Sequence, residues 1–198
     1  MNDDWKKLAE ELFNRGNDRD QAGDRPGAIN EWHEAIRFNP DHAAAHYNLG
    51  IAFSDDGDNA RAMDHLRQAI NLDLFDLDAR HALAEIYLEE EQWDDAINLL
   101  RQTLNLIPSD GQAAHLLAEA YLDQEMWDEA AGALESGALL EEDADLWFDL
   151  GEAYQRADRI DDAILAYRRA IIAQPEHPDA IHALDLLHVP IEEEESDE

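Results

Sequence analysis

Two histidine–glutamate pairs come nearest to a metal-binding pattern in this sequence. His81 and Glu85 lie four residues apart, and His115 and Glu119 repeat that spacing 34 positions later. Four residues make about one helical turn, so each pair shares a helix face, and imidazole and carboxylate groups both bind zinc. Packed helices lie about 10 Å apart, so the four side chains would have to extend far from their helices to bind one shared ion. The pattern favours two local His–Glu hydrogen bonds, and we predict no metal site.

Other patterns for chemistry are incomplete or missing. Residues 18–23 resemble the start of a calcium loop, but Ala22 offers no side-chain oxygen and Ile29 stands where a bidentate glutamate is required. The sequence has no cysteine, no glycine-rich phosphate loop and no H-E-x-x-H, and its few hydroxyl residues stand in no nucleophile motif. We therefore predict a non-enzymatic protein with no catalytic residue and no cofactor.

The charge of the chain restricts its partners. The formal net charge is -34, from 48 acidic and 14 basic residues. Such a field repels nucleic acid and anionic membrane, so neither is an expected partner, whereas basic protein segments are attracted. Only Lys6 and Lys7 are lysines, and aspartate outnumbers glutamate by 27 to 21. Because that composition also resembles proteins of salt-rich cytoplasms, the acidity has two open explanations: high salt or a basic partner.

The N-terminal residues and the hydropathy predict a cytoplasmic location. Residues 1–11 are mostly polar, with Trp5 and Leu8 as the exceptions, which is not the pattern of a secretory signal. No run in the sequence is long and apolar enough for a membrane span.

The sequence repeats itself every 34 residues, with one interval of 33, and this repeat determines where the side chains named above lie. Small residues and helix-ending positions recur in three parallel series: Gly16, Gly50, Ala84, Ala118 and Gly151; Ala28, Ala62, Ala96, Ala130 and Ala163; Pro40, Leu74, Pro108, Glu142 and Pro175. Self-similarity at this period indicates stacked helical units, none of which buries its apolar face alone.

The last repeat shows the helices most clearly. Trp147, Leu150, Gly151 and Tyr154 share one helix face; Ala163, Tyr167 and Ala170 share the face of a second helix, which Pro175 ends. We expect the small residues Gly151 and Ala163 to let two helix backbones approach closely.

These residues resemble the complete pattern of the tetratricopeptide repeat family. The other repeats match it through Gly16, Ala28, Trp32, Ala35 and Pro40; Leu49, Gly50, Phe53, Ala62, Leu66 and Ala69; Leu83, Ala84, Tyr87, Ala96, Leu100 and Pro108; and Leu117, Ala118, Tyr121, Ala130 and Leu134. The resemblance covers about residues 9–176. It implies an all-α fold, a right-handed superhelical solenoid of five helix pairs followed by a C-terminal capping helix.

The resemblance also predicts the domain organisation. We expect one solenoid over residues 1–188, with an acidic tail at 189–198 that cannot fold by itself. Its parts are repeats at about 9–42, 43–76, 77–110, 111–143 and 144–177 and a capping helix at 178–188. Repeat 4 is one residue short and has Gly137 and Glu142 where alanine and proline are usual. We expect its second helix to be short or irregular; the alternative is a neutral deletion in a surface turn.

In this family the first helices of successive repeats line a concave groove, which implies a set of partner-binding residues. The ring positions, fifth in each first helix, are Phe13, Tyr47, His81, His115 and Phe148; the ninth positions are Asn17, Ile51, Glu85, Glu119 and Glu152; Asn48, Leu88 and Leu122 complete the predicted groove. Rings dominate interface hot spots, and neighbouring carboxylates favour lysine or arginine on the partner. The alternative is that the rings only pack against adjacent helices.

One known use of the fold does not fit. Co-chaperones of this family hold a C-terminal carboxylate with two asparagines and three basic residues. Asn17 and Asn48 match the asparagines, but Phe13, Asp78 and Ala82 occupy the basic positions. Because an anion site without cations cannot hold a carboxylate, we exclude chaperone-tail binding. The two asparagines can still hold the backbone of an extended peptide through amide hydrogen bonds.

The sequence thus predicts an adaptor that binds, in its groove, a protein segment carrying Lys or Arg and apolar residues. Two alternatives stay open: a self-assembling structural scaffold, and a regulatory subunit of a larger complex.

Overall fold

The computed structural model describes residues 3–141 and 143–188. Glu142, Pro190 and the predicted acidic tail lie outside these ranges. Within them the chain forms eleven α-helices: α1 (Asp3–Gln21), α2 (Arg25–Phe38), α3 (Ala43–Asp55), α4 (Asn59–Leu72), α5 (Leu77–Glu89), α6 (Trp93–Leu106), α7 (Gly111–Leu122), α8 (Trp127–Glu141), α9 (Ala144–Arg156), α10 (Ile160–Ala173) and α11 (Pro178–Leu186). No helix in the described ranges combines the length and the apolar character needed to span a bilayer.

The helices form two compact units, Met1–Asp95 and Ala96–Glu198, whose boundary falls inside α6. In the first unit α1 packs on α2 and α3 packs on α4, and α2 and α4 also contact the helix that follows them. In the second unit α7 packs on α8, α9 packs on both α8 and α10, and α11 covers α10. The predicted all-α fold of helix pairs with a C-terminal capping helix is confirmed. A single solenoid over residues 1–188 stays a prediction.

Aspartates begin many of these helices. The N-terminal backbone N–H groups of a helix have no partner within it, and a side-chain oxygen at the N-cap accepts from one of them. Five helices are capped in this way, by Asp24, Asp58, Asp76, Asp110 and Asp143. Part of the aspartate excess therefore has a local structural cause.

Gly16 and Gly151 of the first series make room for an aromatic side chain of the second helix. A Cβ added to Gly16 would overlap the indole of Trp32, and one added to Gly151 would overlap the ring of Tyr167. Both rings are buried in the second helix of the same repeat, with 3% and 1% of their surface exposed. The expectation that Gly151 lets two backbones approach is therefore corrected: the glycine accommodates the tyrosine ring.

The second helix of repeat 4 is neither short nor irregular, contrary to our expectation. α8 has 15 residues, one more than each of α2, α4, α6 and α10. It ends at Glu141 and α9 begins at Ala144, whereas four residues separate α4 from α5. The missing residue is therefore taken from the turn between repeats, and Gly137 is carried within the helix, which agrees with the alternative of a deletion in a turn.

A residue with left-handed backbone follows the end of each first helix by two or three positions. This residue is a glycine in the first two repeats (Gly23 and Gly57, φ 81° and 75°) but Glu91, Glu125 and Asp158 in the other three, with φ of 56–60°. The N–H of the next residue donates to a carbonyl five residues earlier, as in Asp58 to Phe53 at 2.8 Å and Arg159 to Tyr154 at 2.9 Å. This is the Schellman arrangement, which favours glycine because a Cβ is strained there.

We expect Asp158→Gly to raise the free energy of unfolding by about 0.5–1 kcal/mol, since relief of left-handed strain outweighs the added chain entropy of glycine. Gly57→Ala should lower it by about 1 kcal/mol for the opposite reason. Urea denaturation followed by circular dichroism measures both changes. The matched control is Ala157→Gly, whose φ of -76° gives glycine no advantage. A stability gain in this control equal to that of Asp158→Gly would contradict the explanation.

Candidate functional site

The first helices of repeats 4 and 5 enclose a cleft of about 340 Å³ in the second unit, which we call the acidic cleft. Its walls are formed by α7 and α9, and α8 closes its base. The residues that line it are His115, Ala118, Glu119, Leu122, Asp123, Trp127, Leu134, Asp149, Glu152 and Arg156. Four predicted groove residues, His115, Glu119, Leu122 and Glu152, therefore lie together.

A histidine–aspartate pair joins the two walls of the acidic cleft. His115 Nδ1 of α7 lies 2.7 Å from Asp149 Oδ2 of α9, and the histidine side chain is 53% exposed. The hydrogen bond to Asp149 raises the pKa of His115 above its usual 6.5, and the nearby carboxylates of Glu119 and Asp145 act in the same direction. The imidazole therefore takes up a proton more readily than an ordinary surface histidine does.

Negative charge dominates the acidic cleft. Four carboxylates line it, against the single guanidinium of Arg156. The pKa of Glu152 is raised, chiefly because the carboxyl group is partly buried. The positive charge of Arg156 lowers this pKa, and the negative charge of Asp149 raises it. Arg156 itself lies over the ring of Trp127, with its guanidinium carbon 5.5 Å from the ring centroid. The cleft thus combines carboxylates, an apolar base and an aromatic face that already receives a guanidinium.

A second cleft, of about 220 Å³, lies in the first unit, and we call it the amide cleft. It is lined by Asn17, Asp20 and Gln21 of α1, Arg25 and Trp32 of α2, and Tyr47, Asn48, Ile51 and Ala52 of α3. Here too the first helices of consecutive repeats form the walls. Four further predicted groove residues, Asn17, Tyr47, Asn48 and Ile51, are brought together.

Hydrogen bonds fix the orientation of both asparagine amides in this cleft. Trp32 Nε1 can only donate, and it lies 3.0 Å from Asn17 Oδ1, so that atom is the oxygen. Asn48 Nδ2 donates to the same oxygen at 2.8 Å. Among the described residues, Asn17 Nδ2 and Asn48 Oδ1 are left without a hydrogen-bond partner. One amide donor and one amide acceptor therefore remain for a ligand.

The charged groups of the amide cleft are largely paired with each other. Arg25 joins the two first helices, with Nε 2.6 Å from Asp20 of α1 and Nη1 2.7 Å from Asp55 of α3. Burial raises the pKa of Tyr47, and the carboxylates of Asp78 and Asp76 raise it further. The phenol therefore stays neutral, beside a negatively charged helix start.

The remaining predicted groove residues line neither cleft. Phe13 packs on the core of α1, α2 and α3, and its ring centroid lies 4.6 Å from that of His42. Phe148 lies between Tyr167 and His177, with centroid distances of 5.7 and 5.4 Å. In α5, His81 and Leu88 are buried and Glu85 is exposed. A partner-binding role for these five residues stays a prediction.

Sequence reasoning missed several residues of the acidic cleft and misassigned one contact. The expected hydrogen bond of His115 with Glu119 is replaced by the bond with Asp149 on the neighbouring first helix. Asp149 directly follows Phe148, the ring position of its repeat. A carboxylate next to that position was therefore the feature of the sequence that could have indicated the partner of His115. Trp127 and Arg156 lie at helix ends, outside the groove positions of the family pattern.

The comparisons with known proteins agree with this architecture. Family models match three segments: the anaphase-promoting complex, cyclosome, subunit 3 model at residues 55–137, a TPR repeat model at 16–57 and a tetratricopeptide repeat model at 144–177. A comparison with curated protein sequences finds no significant match.

Solved structures of repeat proteins share the fold at low sequence identity. A crystal structure of the MamA protein is 20% identical, covers 86% of this chain and 93% of its own, and superposes with a TM-score of 0.74. YrrB, described as a TPR protein with an unusual peptide-binding site, is 21% identical over 91% and 97% of the two chains, with a TM-score of 0.70. MamA from Desulfovibrio magneticus RS-1 is 21% identical over 86% and 97%, with a TM-score of 0.71. With its repeat pattern, its helix pairs and these matches, the chain belongs to the tetratricopeptide repeat family.

Proposed function

We propose that this protein is a non-enzymatic adaptor that binds a segment of another protein carrying Lys or Arg and apolar residues. The observation that carries the proposal is the acidic cleft, where four carboxylates surround an apolar base. The description of YrrB as having a peptide-binding site, and the similarity of that structure, support the same class of function. The acidic cleft and the amide cleft differ in the chemistry that they offer.

The acidic cleft is suited to a cationic side chain. A lysine or arginine that enters between α7 and α9 meets the carboxylates of Glu119 and Glu152, and that of Asp149, which His115 Nδ1 already contacts at 2.7 Å. Its aliphatic stem covers the exposed apolar surface of Leu122 while its charge stays near the mouth. An arginine can also lie on the face of Trp127, where Arg156 lies in the free protein.

The amide cleft is suited to peptide backbone. Asn17 Nδ2 can donate to a backbone carbonyl of the partner and Asn48 Oδ1 can accept from a backbone N–H. Tyr47 and Ile51 offer an apolar surface beside these amides, since the phenol is neutral and Arg25 is held by two aspartates. We infer that this cleft contributes affinity with little sequence preference, whereas the acidic cleft selects charge.

Peptide display on the full chain tests the proposal. We expect a library of twelve-residue peptides selected on the wild-type protein to become enriched in Lys and Arg interspersed with apolar residues. Glu119→Lys/Glu152→Lys should abolish the enrichment in basic residues, because reversal of two cleft charges repels the same side chains. Titration of fluorescent enriched peptides then measures the loss of affinity, for which we expect more than about tenfold.

The matched control is Glu129→Lys/Glu176→Lys. Both glutamates are exposed in the second unit and line neither cleft, so the net charge changes equally. This variant should select the same peptides as wild type. If the two double variants behave alike, the binding depends on overall charge and not on the cleft. If no peptide is enriched on the wild-type chain, the adaptor function itself is wrong.

A further inference from the structure

Three histidines lie against one another in the first unit, away from both clefts. His33 of α2, His46 of α3 and His65 of α4 form this histidine cluster. The ring centroid of His65 lies 5.3 Å from that of His46 and 5.7 Å from that of His33, and His46 Nδ1 lies 3.0 Å from His65 Nδ1. Phe53 stacks on His65, with ring centroids 5.6 Å apart. The cluster therefore joins both helices of repeat 2 to the second helix of repeat 1.

The hydrogen bonds determine which nitrogens carry protons at neutral pH. His46 Nε2 lies 3.2 Å from the backbone oxygen of Pro40, which can only accept, so this nitrogen is protonated. In neutral His46 the other nitrogen, Nδ1, then has a free lone pair. His65 Nδ1 must therefore carry a proton and donate it to His46 Nδ1. A single ordered chain of donors runs from His65 through His46 to Pro40.

This chain of donors can accept only one further proton without breaking. The first proton can go to His65 Nε2, which leaves the hydrogen bond between the rings intact. The second must go to His46 Nδ1, the acceptor of that bond. Two N–H groups then face each other across 3.0 Å, and the contact between α3 and α4 is lost.

The surroundings of the histidine cluster oppose protonation. His42, His115 and His177 each lie within 3.3 Å of a carboxylate oxygen, from Glu10, Asp149 and Asp145. The cluster has no such partner among the described residues. Instead the guanidinium carbon of Arg61 lies over the ring of Phe53, 4.1 Å from its centroid, and the charges of Arg61 and His42 act on the cluster.

The carboxylate of Asp64, which acts on His65 in the opposite direction, is exposed and lies 3.6 Å from Arg67. Burial, together with the charges of His46, His33 and Arg61, lowers the pKa of His65 to about 4, against a small opposing effect of Asp64. Burial also lowers the pKa of His46.

We propose that the histidine cluster is an acid-sensitive contact that holds α2, α3 and α4 together at neutral pH and releases them as the pH falls. The sign follows from proton linkage. A histidine with a lowered pKa in the folded state binds fewer protons than the unfolded chain does between about pH 6.5 and 4. Its stabilising contribution is therefore complete above this window and is lost as the pH falls through it. Because the Asn17–Asn48 pair depends on α3, release would also open the amide cleft.

The three rings do not form an assembled metal site. Within residues 3–141 and 143–188, no group of three or more histidines or carboxylates has the geometry to hold an ion. The histidine cluster accordingly acts through hydrogen bonding and charge.

Amide hydrogen exchange of the full chain tests it, with rates corrected for the intrinsic effect of pH. Between pH 7.5 and 5, we expect protection of residues 25–72 to fall at least about tenfold more than that of residues 144–173, since each unit of lowered pKa contributes up to a factor of ten. His65→Asn should remove this difference, because the asparagine amide can still donate to His46 but cannot take up a proton. The control His182→Asn removes an exposed histidine of α11 and should keep the difference.

A second measurement decides the question if His65→Asn does not fold. Nitrogen-15 spectra of the wild-type imidazoles at pH 7.5 should show His46 protonated at Nε2 and His65 protonated at Nδ1. The proposal is overturned if His65 carries its proton on Nε2, or if wild-type protection in the two regions changes equally with pH. It is also overturned if a folded His65→Asn variant retains the difference. None of these results bears on the acidic cleft.

Discussion

Gly151→Ala is expected to lower the free energy of unfolding by about 1–3 kcal/mol, although alanine is the better helix former by about 1 kcal/mol. The reason is steric. The added methyl group would overlap the ring of Tyr167, which is 1% exposed and rigid, so the α9–α10 pair must separate or the ring must leave its rotamer. Urea denaturation at several wavelengths of circular dichroism measures the change.

The chain offers a matched control at the same position of repeat 2. A Cβ on Gly50 would come within 2.6 Å of Cγ of the fully buried Leu66, a side chain smaller than a tyrosine ring, so Gly50→Ala should lower stability by less than Gly151→Ala does. Gly151→Ala/Tyr167→Leu should lose less than the sum of its two single changes, since the smaller side chain leaves space for the methyl group. Equal effects of Gly50→Ala and Gly151→Ala would show that the ring does not set the limit.

The repeat pattern predicted the helix pairs, but not what each small residue accommodates. The position sixteen residues after each small residue holds Trp32, Leu66, Leu100, Leu134 or Tyr167. The two aromatic members follow glycine, while alanine appears only where leucine follows. The pairing of glycine with an aromatic residue could be seen in the sequence, but its steric cause could not. Periodicity shows which residues share a helix face; it does not show which atoms come into contact between two helices.

The sequence predicted the composition of a groove along the first helices, but only part of its geometry. His115, Glu119 and Glu152 were expected in this groove, and the structure places the first two on α7 and the third on α9, the two walls of the acidic cleft. The partner of His115 was missed because spacing along one helix is readable from sequence, whereas the offset between neighbouring first helices depends on how the intervening second helix packs.

The left-handed backbone after the first helices was also not predicted from the sequence. Gly23 and Gly57 mark the left-handed turn in two repeats, but Glu91 at the equivalent position carries no sign of it, since charged residues are ordinary in turns. Comparison of the five repeats with one another would have predicted it, because equivalent positions of a repeat adopt equivalent backbone.

The affinity of the acidic cleft for a basic peptide should be about tenfold weaker at pH 6 than at pH 8. Acidification protonates His115, whose pKa the hydrogen bond to Asp149 raises, and the new positive charge lies in the same cleft as the cation of the peptide. Repulsion of about 1–2 kcal/mol at this partly open site corresponds to that factor. Any proton taken up by Glu152 acts in the same direction, because it removes an attractive charge. Fluorescence anisotropy with an enriched arginine-containing peptide measures the affinity.

His115→Asn should remove most of this pH dependence, since asparagine still donates to Asp149 and cannot be protonated. Linkage supplies an independent check: if protonation of His115 weakens peptide binding, bound peptide must lower the pKa of His115 by the same free energy, which is about one unit for a tenfold effect. Imidazole titration by NMR, with and without peptide, measures this shift directly. An unchanged pKa of His115 in the complex would mean that the peptide binds away from the Asp149 pair, even if the affinity itself varied with pH.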